Sequence, residues 1–108
     1  MADKAVLLDV DDDGVATLTL NRPDSRNALS EPVSSGIVDS LNELEARTGI
    51  RCLVLTGSGG SFCAGGDVNS MMELMSDAVP LHAAVHRIQD QTSRAIQRVH
   101  EFYLPTVA

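Results

Sequence analysis

Apolar and polar positions in the first twenty residues follow a two-residue period. Residues 15–20 alternate apolar with small polar side chains, which predicts a half-buried strand, and residues 5–10 form a strand candidate before it. The link between them is short and ends in Gly14, so we expect an antiparallel hairpin. Three aspartates in the link are typical of a solvated turn, because the further ligands of a calcium loop are missing.

A helical period begins after the loop of residues 21–29. Ser30 is suited to cap a helix, with Glu31 and Pro32 in its first turn, and Gly49 is a stop signal. Apolar side chains then recur every three or four positions, which predicts an amphipathic helix. These side chains are Val33, Ile37, Leu41 and Leu44, with Val38 beside them.

Residues 50–55 carry apolar side chains on consecutive positions, which predicts a strand buried on both faces in a helix-covered sheet. Strand, helix and buried strand form a βαβ unit. A second helix is predicted for residues 81–102, with an apolar stripe that includes Ala95, Ile96 and Val99. Residues 104–108 have the pattern of the first residues of a further strand. The order of elements predicts an α/β fold.

A glycine-rich stretch, residues 59–68, separates the buried strand from a short helix expected from Asp67 to about Met75. Backbone N–H groups in such a turn bind an oxyanion or a phosphate without a charged side chain. Ligands of open α/β sheets bind beyond the carboxyl ends of strands. The position of the glycine-rich stretch therefore favours a binding site over a loop that only connects the strand to the helix.

Composition narrows the class of protein. The 108 residues suit one small domain, and the net charge is −7 with only three aromatic residues. Both features argue against nucleic acids and anionic membranes as partners. The two cysteines, Cys52 and Cys63, form no CxxC pair, and neither a signal peptide nor a membrane-span pattern occurs. We therefore expect reduced thiols and a cytoplasmic protein.

Metal and thiol chemistry have weak support in the sequence. His82 and His86 are four residues apart on the second predicted helix, but no third ligand accompanies them, so exposed helix histidines are favoured over a zinc site. Cys63 lacks a sequence-evident base, which favours packing over a nucleophilic role. We predict no metal site.

Three ordered groups of residues carry a family resemblance. They are residues 17–23 (TLTLNRP) with 27–29 (NAL), residues 53–57 (LVLTG) with 62–68 (FCAGGDV), and residues 104–108 (LPTVA). In this order and spacing they resemble the N-terminal part of the enoyl-CoA hydratase/isomerase (crotonase) superfamily. The resemblance implies a spiral of ββα units around two roughly perpendicular sheets. It also implies that residues 1–108 are part of a longer core domain, cut inside a strand near residues 105–108.

The resemblance also implies roles for individual residues. The backbone N–H of Gly66 is one of two donors to the thioester oxygen of an acyl-CoA. Arg22 is expected to brace its loop, and Arg26 suits a phosphate. Asp67 is expected to serve mainly as a helix cap. The residues assigned to coenzyme A binding are Ser25, Arg26, Ala28, Ala64, Asp67 and Val68.

Hydration of a trans-2-enoyl-CoA or isomerisation of its double bond is the activity that the resemblance implies. Coenzyme A is then part of the substrate, no cofactor is permanently bound, and the parent forms a homotrimer or hexamer. The second N–H donor and the proton-transferring acids are expected beyond Ala108. The alternative is a non-catalytic fragment that binds coenzyme A weakly or serves only as a structural part of its parent.

Overall fold

Two strands come first, and helices and strands then follow in turn. The computed structural model describes residues 4–66, 72 and 81–108. The predicted α/β class is confirmed, and a short 3-10 helix, Pro23–Ser25, interrupts the loop before the first α-helix. The strands and helices are β1 (Val6–Val10), β2 (Val15–Leu20), α1 (Glu31–Glu45), β3 (Cys52–Gly57), α2 (Leu81–His100) and β4 (Thr106–Val107).

The strands form a sheet in the order β1-β2-β3-β4. β1 and β2 are antiparallel, whereas β2–β3 and β3–β4 are parallel, so the predicted hairpin and βαβ unit are confirmed. The Asp11 carboxylate closes the hairpin turn, because its Oδ1 accepts the N–H groups of Asp13 and Val15 at 2.9 Å each. The parallel pairing of β2 with β3 brings the carboxyl ends of both strands to one edge of the sheet.

The core lies between one face of the sheet and α1. Alternate side chains of β2 are buried, with partly exposed residues between them. The apolar stripe of α1 packs on this face, so the predicted helical period is confirmed, and Ser30 caps the helix by accepting the Val33 N–H at 3.5 Å. The fully buried apolar residues at the centre are Ala16, Leu18, Val33, Leu41, Leu44 and Leu53.

Two predicted burial patterns are wrong. On β3 only Leu53 is buried, while Val54 and Leu55 are half-buried, because the described core packs against the Leu53 face. On α2, Ile96 is 56% exposed although it was expected in the apolar stripe. Ala95 is buried and Val99 packs against the core instead, since the contact face of the helix passes through these two positions.

Polar groups join α1 to α2. The Arg98 guanidinium donates to Glu45 at 2.9 Å and to Asn42 Oδ1 at 2.8 Å, so this arginine faces α1. On α1 itself, the buried Ser34 hydroxyl has no hydrogen-bond partner among the described atoms. Neither described helix is long and apolar enough to cross a membrane.

Candidate functional site

Two loops meet at the carboxyl edge of the sheet. One follows β2 and comprises residues 21–30; we name it the arginine loop. The other follows β3 and comprises residues 58–66; we name it the glycine-rich turn. The turn begins beside the end of β2, where the Ser58 N–H donates to the Leu20 carbonyl at 2.9 Å. Both loops therefore start from paired strands, and the sheet fixes their origins relative to each other.

Backbone hydrogen bonds hold the two loops side by side. The Ala64 N–H donates to the Arg26 carbonyl at 3.0 Å, and the Leu29 N–H donates to the Gly65 carbonyl at 2.6 Å. Leu29 and Gly66 consequently pair as an isolated parallel bridge. The structure thus brings together two segments that the sequence analysis assigned to one site.

Asn27 lies between the loops; it belongs to the NAL motif, but the sequence analysis assigned it no role. Its side chain is fully buried, and its Nδ2 donates to the Ser58 carbonyl at 3.0 Å and to the Ser61 carbonyl at 2.9 Å. Its Oδ1 accepts the Arg22 N–H at 2.7 Å. One amide group therefore joins three backbone groups of both loops. The available sequence signal is weak: asparagine is enriched at positive φ, and Asn27 has φ 57°.

Gly57 provides the space that the Asn27 amide occupies. A Cβ at this position would lie 2.6 Å from the Ser61 carbonyl oxygen and 2.7 Å from Nδ2 of Asn27. Contacts this short do not occur between ordinary side chains, so the hydrogen bonds of the turn require glycine here. The last residue of β3 and the amide of the arginine loop are thus sterically matched.

Gly66 stands at the end of the described turn and is exposed. Gly65 before it has φ 97°, a left-handed conformation that glycine adopts without strain. The pairing with Leu29 uses the Gly65 carbonyl and leaves the Gly66 N–H out. Within residues 4–66, 72 and 81–108, the Gly66 N–H has no acceptor.

The remaining predicted binding residues fall into two groups. Ser25, Arg26 and Ala64 are exposed, whereas Ala28 is buried beside Asn27. Arg26 has φ 53° at the end of the 3-10 helix, where its N–H donates to the Pro23 carbonyl. Side chains at the outer surface of the arginine loop are therefore open to a ligand, while Ala28 anchors the loop. Two more predicted residues, Asp67 and Val68, lie outside the described residues.

The arginine at the start of the loop has the expected bracing contact. The Arg22 guanidinium donates to the Asn21 carbonyl at 2.9 Å, and the backbone of Arg22 accepts the N–H groups of Ser25 and Asn27. Its carbonyl and side chain therefore stabilise the loop from within.

An apolar cavity of about 380 Å³ opens beneath the glycine-rich turn. Cys63 is half-buried, packs against the hydrophobic core and lines this cavity together with Phe62. The structure therefore gives the Cys63 side chain a packing role. The other walls of the cavity come from the ends of β2 and β3 and from α2, through residues such as Leu20, Leu55 and Val99.

The predicted histidine pair of α2 is only half described. His86 is exposed, and the side chain of His82 lies outside the described residues. No group of three or more histidine, cysteine or acidic side chains suited to a metal ion occurs among the residues that the structure describes.

Comparison with known proteins identifies the class to which this fold and this pair of loops belong. The sequence profile of the enoyl-CoA hydratase/isomerase family matches residues 15–108. The chain is 36% identical over 87 residues to the 1,2-epoxyphenylacetyl-CoA isomerase of Escherichia coli, which covers 80% of this chain and 33% of that protein. It is 31% identical over 98 residues to an enoyl-CoA hydratase of Alternaria alternata, covering 91% of this chain and 31% of that protein.

The solved structures agree with the sequence matches. The crystal structure of an enoyl-CoA hydratase from Mycobacterium smegmatis superposes with a TM-score of 0.82 at 30% identity, covering 96% of this chain and 38% of that one. The chain belongs to the enoyl-CoA hydratase/isomerase family, and the predicted resemblance and crotonase-like fold class are confirmed. It spans about one third of the length of these relatives.

Proposed function

We propose that this chain is the N-terminal part of a longer enzyme, the parent protein, that acts on acyl-CoA thioesters. Hydration of a 2-enoyl-CoA or isomerisation of its double bond is the reaction that we assign to it. Relatives named as an enoyl-CoA hydratase and as an acyl-CoA isomerase support the substrate class. The proposal includes a cytoplasmic homotrimer or hexamer that needs no permanently bound cofactor, and light scattering of the purified parent tests the assembly.

The observation that carries the proposal is the Gly66 N–H, an exposed backbone donor with no acceptor among the described residues. When water adds to C3 of a 2-enoyl thioester, an electron pair moves onto the thioester oxygen, and protonation at C2 then restores the carbonyl. Isomerisation passes through a similar enolate after loss of a proton. A donor held in place before the reaction stabilises this charge without reorganisation.

The arginine loop supplies the second part of the proposed site. Ser25 and Arg26 are exposed on it, and the Arg26 carbonyl is bonded to Ala64 of the glycine-rich turn. A guanidinium binds phosphate oxygens through paired, charge-assisted hydrogen bonds. We therefore assign Ser25 and Arg26 to coenzyme A binding. The family resemblance adds Ala28 of the same loop, with Ala64, Asp67 and Val68 along the adenine and pantetheine.

The test removes the proposed donor. Gly66→Pro deletes the backbone N–H of residue 66, whereas the matched control Gly66→Ala keeps it; Gly66 is not among the residues with positive φ. In the parent protein, we expect Gly66→Pro to lower kcat for crotonyl-CoA hydration by about 100- to 1,000-fold, the usual cost of one oxyanion donor. Gly66→Ala should stay close to wild type.

Binding measurements separate the possible failures. Titration of butyryl-CoA into the parent and into each variant shows whether the site still binds a thioester. A parent that binds no acyl-CoA and converts none in hydratase, isomerase or hydrolase assays contradicts the proposal. Equal activity of Gly66→Pro and Gly66→Ala contradicts the role of Gly66 alone. The isolated 108-residue chain is expected to bind coenzyme A weakly and to catalyse no turnover.

A further inference from the structure

We infer that Asn27 is the residue that positions the oxyanion donor: its side-chain amide holds the glycine-rich turn so that Gly66 lies beside Leu29 of the arginine loop and its N–H is presented at a fixed place. The inference rests on the proposed function, since it assigns the Gly66 N–H to the thioester oxygen. Asn27 itself is buried and touches no substrate. It is a positioning residue, and it acts through the backbone of the turn.

Every polar atom of the Asn27 side chain is used. Both Nδ2 hydrogens are donated to carbonyls of the turn, at 3.0 Å to Ser58 and 2.9 Å to Ser61. The Oδ1 accepts the Arg22 N–H at 2.7 Å. A fully satisfied amide in a buried site restricts the groups around it more strongly than an exposed one, because breaking any bond leaves a buried polar atom unpaired.

Only asparagine meets the geometric and chemical demands together. The backbone at residue 27 is left-handed, which asparagine and aspartate tolerate better than other side chains. Aspartate has the same shape but, when ionised, offers no donor to the two carbonyls. Glutamine adds a methylene in a space already limited by the short approach of Gly57. The two carbonyls therefore require a side-chain NH₂ group at this distance.

The restraint reaches Gly66 through the course of the turn. Asn27 holds its first half, at Ser58 and Ser61, and backbone bonds from Arg26 and Leu29 hold its second half. The two sets of bonds originate in the same short part of the arginine loop, at residues 26, 27 and 29. Loss of the amide releases the first half, and the donor at the end of the turn then loses its register with the loop. A shift of about 1 Å at a reacting centre costs roughly 100-fold in rate.

The experiment compares two ligands of the parent protein. Acetoacetyl-CoA is a β-keto thioester that loses its C2 proton to give an enolate with charge on the thioester oxygen. Butyryl-CoA has the same acyl length and a neutral carbonyl. The ratio of their dissociation constants, together with the near-ultraviolet absorbance of bound enolate, reports the oxyanion donor specifically. Binding of butyryl-CoA reports that the protein is folded.

Asn27→Asp and Asn27→Gly both suit a left-handed backbone and both remove the two N–H donors. We expect each to lower the preference for acetoacetyl-CoA by roughly 10- to 100-fold while butyryl-CoA affinity changes less. The matched control is Leu41→Ala, which destabilises the core from within α1 and lies outside both loops, and it should retain the wild-type preference.

Each outcome decides the inference. Variants that keep the wild-type preference overturn it and leave the proposed function intact. If both variants lose butyryl-CoA binding as well as the enolate preference, Asn27 is needed for folding alone, and the inference is overturned. A wild-type parent that binds neither ligand refutes the proposed function and the inference with it. A selective loss of the enolate preference in the Asn27 variants, absent in Leu41→Ala, supports the inference.

Discussion

Gly57→Ala should disable the site, because the added methyl group displaces the glycine-rich turn. The new Cβ would lie 2.6 Å from the Ser61 carbonyl oxygen and 2.7 Å from Nδ2 of Asn27, and closer still to the Phe62 carbonyl oxygen. Ordinary carbon contacts begin at about 3.5 Å, so the turn has to retreat by about 1 Å. The atoms in its way are mostly backbone, which cannot rotate aside as a flexible side chain does.

Two consequences follow for Gly57→Ala in the parent protein. Overpacking of this kind costs about 1–3 kcal/mol of unfolding free energy, which urea denaturation measures. Displacement of the donor by about 1 Å should lower kcat for crotonyl-CoA hydration roughly 100-fold. Both effects arise from one methyl group, because the same contacts hold the fold and aim the turn.

Two matched glycines separate these effects. A Cβ at Gly60, in the same turn, meets nothing within 4 Å, so Gly60→Ala should change neither stability nor rate appreciably. A Cβ at Gly36 would lie 2.7 Å from Val6 Cγ2, so Gly36→Ala should strain α1 against β1 and destabilise the protein while folded molecules keep their activity. Wild-type turnover by folded Gly57→Ala would refute the reasoning that the turn positions the donor.

Three further predictions concern the stability of the parent protein, measured by urea denaturation. Ser34→Ala should be neutral or stabilising by up to about 1 kcal/mol, because the buried hydroxyl has no partner among the described atoms; Ser30→Ala should instead cost about 0.5–1 kcal/mol through loss of the helix cap, and an equal loss in both would contradict this account. Replacement of the Arg98 and Glu45 side chains, singly and together, should give a coupling free energy of only about 0.5 kcal/mol, because both side chains are partly exposed. The coupling should weaken as salt is added, and a salt-independent coupling would contradict an exposed ion pair. Leu41→Ala should lower the free energy of unfolding by about 2–5 kcal/mol because the side chain is fully buried. A loss under about 1 kcal/mol would show that α1 and the sheet do not form a packed core.

Much of the fold could be predicted because it depends on local periodicity. The stripe of α1 and the alternation of β2 are properties of short segments, and both are confirmed. Burial on β3 and at Ile96 was predicted wrongly, because an apolar side chain is buried only when another element covers it. The pattern of one segment contains no information about which faces its neighbours cover.

The candidate site divides in the same way. The glycine-rich turn and the arginine loop could be found from their composition and from the family resemblance, and the structure places them in contact. The bonding role of Asn27 could not, although the residue belongs to a motif of the resemblance, because its partners are backbone groups whose residue types are irrelevant to the contact. A sequence records side chains, whereas this interaction depends on where the main chain of a distant turn passes.

The bonds from Asn27 also constrain the order of folding. They join residues 31 and 34 positions apart, so they form only after the intervening helix and β3 have assembled on β2. Closing a segment of that length costs conformational entropy before any bond compensates for it. The arginine loop has local hydrogen bonds of its own, but its contacts with the glycine-rich turn require the assembled sheet.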